Sequence, residues 1–429
     1  MQHWFSDAAP FQRDPLSFFL ERGGNSDQPI ERLRLGMTPV WLINDAELVR
    51  DVLKASEEKI DKGRLIHKLR AIVGHSSLTI SGEEHARRRQ ALHATFARTG
   101  AMKFVPNMTA AIRGFSAELL GKESFDAHKA TSMLMLRTIC IVMFGRNVLT
   151  SGDEQALLRA VKMVEDDLAD EMFRLFPRTP WNARATQTKR QEAQYIFDQI
   201  VSRIRERCTP DSAVGALEAL GLDTQAMRDE IITMLLAGHH TTGSAAAWIL
   251  HHLAERPDLA TAIANEAAEI TGDDGEIDTK RMARANLSLS FVKEVLRLYP
   301  SAHWFSRDAK CDMEIGGAQI KKGDALLVVP WLYHRSERYW DNPEEFNPDR
   351  SFSGKAYLPF GAGPRACLGM GVALLELQLL ALEISASFVP VSMNKGPVGL
   401  PTSSVTLMPP EIRLSLRIRE PAEMLVAAE

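Results

Sequence analysis

The chain has 429 residues, of which 45% are hydrophobic and 25% charged, and its formal net charge at pH 7 is −4. This is the composition of a globular protein, and the small net charge gives no indication of binding to nucleic acid. The four cysteines are widely separated, which predicts neither a disulfide framework nor a structural zinc site. Since there is no signal peptide and no run of 18 apolar residues, we expect a cytoplasmic protein without a membrane anchor.

In the first two thirds of the chain, a region of mixed helical and strand-like pattern is followed by a long region of helical pattern. Residues 1–60 combine short helical and strand-like pieces, and residues 39–43 (PVWLI) predict a strand. Farther along, apolar residues recur at helical spacing, and Pro257 marks the end of one helix and the start of the next. The predicted helices are residues 85–97, 104–120, 129–145, 153–176, 187–207, 224–254, 257–271 and 287–298.

The last third of the chain contains short strands, a long loop and one more helix. The predicted strands are residues 313–315, 319–321 and 325–329, the first two joined by the turn Gly316–Gly317. Residues 333–366 are rich in Pro, Gly, Asn and Asp, and an irregular stretch of this length usually has a function. An apolar helix over 368–387 and a tail with strand-like pieces follow. We predict one mainly helical domain over residues 1–429 with a minor sheet-rich part.

The strongest functional signal is the segment 360–369, FGAGPRACLG. Its glycines and proline predict a tight, open loop whose backbone can approach a planar ligand closely. Cys367 stands at the start of the apolar helix, where unpaired N–H groups and the helix dipole favour a thiolate, a good ligand for a soft metal. The alternative is a glycine-rich turn followed by a buried structural cysteine.

This segment resembles the haem-binding loop of the cytochrome P450 family, Phe-x-x-Gly-x-Arg-x-Cys-x-Gly, at every defined position. The resemblance implies that Cys367 is the metal ligand, bound axially to the haem iron, and that Arg365 contacts a haem propionate. Phe360, Gly361 and Gly369 would complete the contacts with haem b. A thiolate ligand pushes electron density to the iron and favours cleavage of the O–O bond.

A second motif is Glu294-Val295-Leu296-Arg297, in which the two charged residues share a helix face and can form an ion pair. By itself such a pair is usually a surface salt bridge. It resembles the Glu-x-x-Arg signature of the same family, whose third partner here would be Arg350. The implied role is structural, namely a buried ion network.

A third motif, Ala237-Gly238-His239-His240-Thr241-Thr242, lies inside the predicted helix 224–254. The glycine loosens the helix, and the Thr241 hydroxyl can bond the Ala237 carbonyl, which leaves a small gap beside a hydroxyl group. The segment resembles the oxygen-groove motif of the family. The resemblance implies that Ala237 and Gly238 contact the haem and that Thr241 and Thr242 are catalytic.

His240 occupies the position at which this motif carries an acid that relays protons. A histidine titrates near neutral pH, so it can also relay protons, and we place it among the catalytic candidates. Contact with the substrate and simple packing are the other possible roles.

Further cationic residues resemble the family's propionate ligands. His85 and Arg89, four residues apart on one predicted helix, fit this role, and Arg307 occupies the position of another propionate-binding arginine. Arg87 and Arg88 would then point outward, where they could dock an acidic electron-transfer protein.

The resemblance implies a triangular prism of helices with a small β-rich region, formed by a single haem domain without a fused reductase. It implies a bacterial monooxygenase that receives electrons from a separate ferredoxin and an NAD(P)H-dependent ferredoxin reductase. The alternative, suggested by His240, is a haem-thiolate peroxygenase, dehydratase or nitric oxide reductase-type enzyme. A haem sensor and a zinc hydrolase using His239-His240 and His251-His252 are weaker alternatives, since the sequence has no His-Glu-x-x-His pattern.

The expected substrate is an apolar, lipid- or terpenoid-like small molecule. The family pocket would be lined by the 60–80 loop, the 172–185 region, Met234, Ala237, Gly238, Thr241, Ala302, His303, Trp304, Phe305 and Ser403–Val405. A basic stretch before the pocket allows for a substrate carboxylate, although a solvated helix face is the favoured explanation. This stretch consists of Lys59, Lys62, Arg64, His67, Lys68 and Arg70.

Overall fold

The computed structural model describes residues 6–24, 26–37, 39–55, 57–173, 180–420 and 423. Within them the chain is mainly helical. The α-helices are α1 (Ala8–Arg13), α2 (Pro15–Gly23), α3 (Ala46–Lys54), α4 (Arg64–Lys68), α5 (Arg70–Val73), α6 (Gly82–Phe96), α7 (Arg98–Ala101), α8 (Val105–Leu119), α9 (Ala127–Phe144), α10 (Ser151–Phe173), α11 (Pro180–Ile204), α12 (Ala213–Glu218), α13 (Thr224–Glu255), α14 (Pro257–Ile270), α15 (Asn286–Leu298), α16 (Pro330–Tyr333) and α17 (Met370–Ser387).

The strands are short and form small sheets. They are β1 (Ile30–Leu33), β2 (Val40–Ile43), β3 (Ile60–Asp61), β4 (Phe125–Asp126), β5 (Phe305–Ala309), β6 (Met313–Ile315), β7 (Ala318–Ile320), β8 (Ala325–Val328), β9 (Phe388–Ser392), β10 (Thr402–Ser403), β11 (Leu407–Met408) and β12 (Arg413–Ile418). One sheet has the order β1-β2-β8-β5-β3, in which only β2 and β8 run parallel, and a second has the order β4-β12-β9. β6 pairs with β7 and β10 with β11 as two-stranded ribbons.

Local sequence signals explain most of the element boundaries. The Asp223 carboxylate accepts a hydrogen bond from the Ala226 N–H and caps α13. Pro257 is the first residue of α14, a position at which its missing N–H costs nothing. Gly145 adopts a left-handed conformation (φ 84°) just after α9 and ends it. The predicted helices and hairpin are therefore confirmed, and the ends of the described ones move by a few residues.

Two long helices, α9 and α13, pack closely in the centre of the molecule. A side chain on Gly238 would meet Ile139, and one on Gly243 would meet the backbone of Ser132. The Thr131 hydroxyl donates to the Gly243 carbonyl across this contact (2.8 Å). α17 is buried beside them, so the main core is built from helices.

α9 and α17 are long and apolar enough to cross a membrane, and they are the two helices among the described residues that meet this test. In both, 72% of the residues in the tested window are buried inside the molecule. Buried core helices of soluble proteins have the same length and composition, so this is weak evidence for a membrane span.

The sequence prediction differs from the structure mainly near the N-terminus. The mixed region before residue 60 holds three defined helices, α1 to α3, and α12 is a helix that the periodicity did not indicate. The last helix begins at Met370, two residues later than predicted, so Cys367 lies in the loop before it. The predicted end of the helix 153–176 lies partly outside the described residues.

Candidate functional site

The cysteine loop has the backbone that its glycines predict. Gly361 and Gly363 have positive φ angles of 66° and 73°, which residues with side chains rarely adopt. A Cβ atom on Gly363 would lie 2.1 Å from the carbonyl oxygen of Leu53, so the loop packs directly on the C-terminal end of α3. The Cys367 N–H donates to the Phe360 carbonyl (2.9 Å) and closes the loop.

The Cys367 sulfur is surrounded by protein yet has accessible surface. The backbone N–H groups of Gly369 and Met370 donate to it, and the Arg89 guanidinium lies within electrostatic range. Burial raises the pKa of the Cys367 thiol and outweighs the lowering effect of these groups. The donors are aimed at the sulfur, where they would stabilise a thiolate bound to a metal ion.

A cluster of basic side chains, which we call the basic cluster, lies beside the loop. Lys62, Arg307 and Arg365 line a cavity, and His85 and Arg89 lie within electrostatic range of Arg365. Arg89 donates to the Ala366 carbonyl (2.6 Å), and Arg365 donates to the Ile80 carbonyl (2.9 Å). The four residues predicted from the sequence are thus brought together.

Lys62 and Glu57 are the members of this region that the sequence did not reveal. Lys62 was assigned to a basic stretch near the substrate pocket, but it is buried and hydrogen-bonded to the Ile80 carbonyl, and it lines the cavity with Arg307. Glu57 forms a 2.5 Å ion pair with Arg365. Both follow from the pairing of β3 with β5, a long-range contact that carries no local signal.

The cationic members are desolvated. Burial lowers the pKa of Lys62 to about 8, that of Arg307 to about 10 and that of His85 to about 4. Several like charges close together in a buried cavity are unfavourable unless an anion is bound there. Two carboxylates, those of Glu57 and Asp61, line the same cavity, and the basic cluster carries more positive charge than they neutralise, so it can hold a further anion.

The Glu294 network forms as predicted. Glu294 and Arg297 have no exposed surface and make two hydrogen bonds at 2.7 and 2.8 Å. Arg350 adds a 3.1 Å ion pair to the same carboxylate, and the N–H of Asn347 donates to it (2.9 Å). Arg297 also donates to three backbone carbonyls, those of His334, Pro343 and Glu345. The network ties α15 to the long loop before the cysteine.

Thr241 lies in the local geometry that the motif predicts. Its hydroxyl donates to the Ala237 carbonyl (2.9 Å) and is part of the accessible surface, while its own carbonyl accepts from the Ser301 hydroxyl (2.7 Å). Ala237 and Thr241 therefore share one face of α13.

Gly238 and Thr242 contact other helices. Gly238 packs against Ile139 of α9, and a side chain at this position would clash with it. Thr242 is buried and donates to the Gly238 carbonyl (2.6 Å). It also contacts Glu376 of α17, so its hydroxyl faces the core, whereas Thr241 lies on the accessible face of α13.

His240 is buried among groups from three other elements. Its Nδ1 lies 3.0 Å from Oε1 of Glu165 on α10 and 3.0 Å from the Thr406 hydroxyl just before β11. The His128 ring of α9 packs against it edge-to-face, with centroids 5.5 Å apart. Burial lowers the pKa of His240 to about 3 and raises that of Glu165 to about 8.

The prediction that Arg87 and Arg88 both point outward is correct for Arg87 and wrong for Arg88. Arg87 is exposed and pairs with Glu84 (3.0 Å). Arg88 is buried, and its guanidinium pairs with Glu230 of α13 at 2.9 Å. Only Arg87 remains as a surface candidate.

Two segments of the expected pocket lining meet around Ser403. Nε2 of His303 lies 2.6 Å from the Ser403 hydroxyl, which also accepts a 3.4 Å hydrogen bond from the Trp304 ring N–H. Met234 lies on the central helix α13. Of the 172–185 region, residues 174–179 lie outside the described residues.

The histidine pairs do not form a metal site. His239 bonds the Leu235 carbonyl and His240 faces Glu165, while His252 stacks on Phe346. In the part of the chain that the structure describes, no group of three or more His, Cys, Asp or Glu side chains is placed to hold a metal ion. This counts against a zinc hydrolase.

A helical fold, a cysteine loop with donors aimed at the sulfur and a buried Glu–Arg–Arg network define a class of oxidoreductases that hold iron porphyrin on a cysteine. Comparison with known proteins identifies the same class of protein. The family profile described as Cytochrome P450 matches residues 11–415. The chain belongs to the cytochrome P450 family and is an oxidoreductase of the monooxygenase type.

Individual relatives are distant but similar over most of their length. The pentalenene oxygenase of Streptomyces avermitilis is 27% identical over 435 residues, 96% of this chain and 94% of the relative. Cytochrome P450 4V2 of Mus musculus is 26% identical over 420 residues, 87% of this chain and 79% of the relative. The crystal structure of the cytochrome P450DA heme domain matches with a TM-score of 0.82 at 22% identity, over 95% of this chain and 94% of that one, which shows the fold.

Proposed function

We propose that this protein carries haem b on Cys367 and inserts one oxygen atom from O2 into an apolar, lipid- or terpenoid-like small molecule. Electrons come from a separate ferredoxin and its NAD(P)H-dependent reductase, and the enzyme works in the cytoplasm. The observation that carries the proposal is the loop 360–369, whose backbone N–H groups are directed at the cysteine sulfur.

The residues of the site fit a haem. The accessible Cys367 sulfur would bind the iron, and the basic cluster would neutralise the two propionates, which are the anions that its buried charges require. When bound, an iron porphyrin with a thiolate ligand supplies the electron density that favours O–O cleavage. Phe360, Gly361 and Gly369 form the loop that holds the sulfur in place.

Insertion of one atom of O2 into a C–H bond and reduction of the other atom to water consume two electrons and two protons. The chain must therefore hold the substrate, exclude bulk water and deliver protons in step with the electrons. Thr241 offers its hydroxyl on the accessible face of α13, and Ser301 fixes the backbone behind it. His240 is the neighbouring group through which protons could be supplied.

The proposed substrate needs no carboxylate. Arg64 pairs with Asp308 at 3.3 Å, Lys68 with Glu171 at 2.6 Å, and His67 with Asp61 at 2.7 Å. These side chains of the basic stretch already have anionic partners, so a substrate carboxylate would have to displace them. One relative is named for the oxygenation of pentalenene, which supports a hydrocarbon-like substrate.

The proposal is tested by comparing electron sources. The purified protein is incubated with a panel of apolar compounds selected by spin-state shifts of the haem spectrum. Each compound is then tested in two reactions. The first contains NAD(P)H, a ferredoxin and its reductase, and the second contains hydrogen peroxide instead. We expect product that contains one oxygen atom from ¹⁸O2 in the first reaction. Product from peroxide alone, with none from the ferredoxin system, would show a peroxygenase instead.

A further inference from the structure

The contact between His240 and Glu165 joins two helices that are far apart in the sequence. Nδ1 of His240 in α13 lies 3.0 Å from Oε1 of Glu165 in α10. The same nitrogen lies 3.0 Å from the Thr406 hydroxyl, with which it forms a hydrogen bond. His240 has 10% of its side-chain surface exposed and Glu165 has 24%, so water reaches the carboxyl group more easily than the ring.

The charges around this pair are few. On α13 the neighbouring ring is His239, and on α9 it is His128, which bonds Ser244. On α10 the charged groups in range are Lys162 and Asp166, which form an exposed ion pair with each other at 3.0 Å. Glu165 is therefore the acid in direct contact with His240.

A carboxyl oxygen and an imidazole nitrogen that lie 3.0 Å apart are close enough to exchange one proton. Burial disfavours a lone charge on either group, which lowers the pKa of His240 and raises that of Glu165. A protonated carboxyl beside a neutral ring and a carboxylate beside an imidazolium contain the same proton and have the same net charge of zero. The proton can thus move between Oε1 and Nδ1 without creating a net charge in the protein interior.

We propose that the carboxyl group which the family motif places at position 240 is supplied here by Glu165 of α10, acting through His240. This inference rests on the proposed monooxygenase function and makes Glu165 a positioning residue for proton supply. In each transfer the O–H bond of Glu165 breaks and its proton binds Nδ1 of His240, the Nε2–H bond of the resulting imidazolium releases a proton toward the site, and a proton from solvent restores the carboxyl group as the ring returns to its first tautomer. A histidine in place of the acid then preserves the proton supply instead of removing it.

The first test measures the proton of the pair without turnover. Histidine labelled with ¹³C is observed by NMR in the diamagnetic ferrous carbon monoxide form, and the His240 signal is assigned by its loss in His240→Asn. In the wild type we expect this signal to shift with a midpoint near pH 8, the value of Glu165. In Glu165→Gln the pair has no carboxyl proton to lose, and the signal should not titrate across the neutral range. Identical titration of both proteins would overturn the proposal.

The second test measures the coupling of electrons to product. Glu165→Gln should release severalfold more hydrogen peroxide per NAD(P)H oxidised, with little dependence on pH, while the wild type should lose coupling only as the pH rises through about 8. Glu165→Asp, which retains the carboxyl group on a shorter side chain, should restore part of the coupling. Asp166→Asn is the matched control, because it removes an adjacent carboxylate of α10 that pairs with Lys162.

These outcomes separate the inference from the function on which it rests. A wild type that makes product while Glu165→Gln matches it in coupling and pH profile would refute the role of Glu165 alone. A change in substrate affinity without a change in peroxide release would show that the pair merely fastens α10 to α13. A wild type that forms no oxygenated product at all would refute the proposed function, and the NMR titration would still report on the pair.

Discussion

Replacement of Glu294 by alanine should remove the largest single electrostatic support of the site. The variant leaves Arg297 and Arg350 as two buried guanidinium groups whose shared carboxylate is gone, and it also leaves the Asn347 N–H without its acceptor. Breaking a buried ion pair by removing one partner costs about 3–5 kcal/mol. Whole domains are stable by only about 5–15 kcal/mol, so the variant should lose a large fraction of its stability and give less soluble, haem-containing protein.

The assay compares the yield of soluble protein, its haem content and its midpoint of unfolding in urea with those of the wild type. The matched control is Glu47→Ala, because Glu47 and Lys355 form an exposed ion pair at 3.1 Å. Removing an exposed pair costs less than about 1 kcal/mol. If Glu294→Ala were as stable and as rich in haem as the control but slow in turnover, the structural role of the network would be wrong.

Three further predictions follow from contacts elsewhere in the chain. Burial raises the pKa of Glu376 from 4.5 to about 8. Between these two pH values the folded state therefore keeps a proton that the unfolded state loses. The free energy of unfolding should fall as the pH rises from about 4.5 to 8. Glu376→Gln should flatten this slope in urea titrations at several pH values, and an unchanged slope would show that Glu376 is ionised. Because Arg87 is exposed, Arg87→Glu should slow reduction of the haem by an acidic ferredoxin, most strongly at low ionic strength. Equal reduction rates for the variant and the wild type at all salt concentrations would show that Arg87 is not part of the docking surface. A fatty acid and its methyl ester should bind with similar affinity in spectral titrations, because Arg64 and Lys68 are already paired with carboxylates. A much lower dissociation constant for the acid than for the ester would contradict this prediction.

The sequence predicted those parts of the molecule that depend on local spacing. Apolar periodicity located the long helices, and Pro257 fixed the boundary between α13 and α14 because proline is favoured at the first helical position. The cysteine loop and the Glu294–Arg297 pair were predicted because the few residues that define them are close together in the chain. Arg350 was predicted only through the resemblance to the family, since it lies more than fifty residues away.

The parts that the sequence did not reveal depend on which way a side chain faces after long-range packing. Thr242 is next to Thr241 in the motif, but on a helix adjacent residues point in different directions, and Thr242 faces Glu376 of α17. Arg88 turned inward because Glu230 lies opposite it on α13. Glu165 could not be associated with His240 from the sequence, because 75 residues separate them and only the packing of α10 on α13 brings them together.

The central claim is that Cys367 binds the iron of a haem. The most direct measurement is the absorption spectrum of the reduced protein with carbon monoxide, in the wild type, in Cys367→Ala and in Cys311→Ala as a control cysteine outside the loop. We predict the red-shifted Soret band of a thiolate-ligated haem in the wild type and in Cys311→Ala, and its absence in Cys367→Ala. A histidine-type band in freshly prepared wild type, or a red-shifted band that survives Cys367→Ala, would contradict the account.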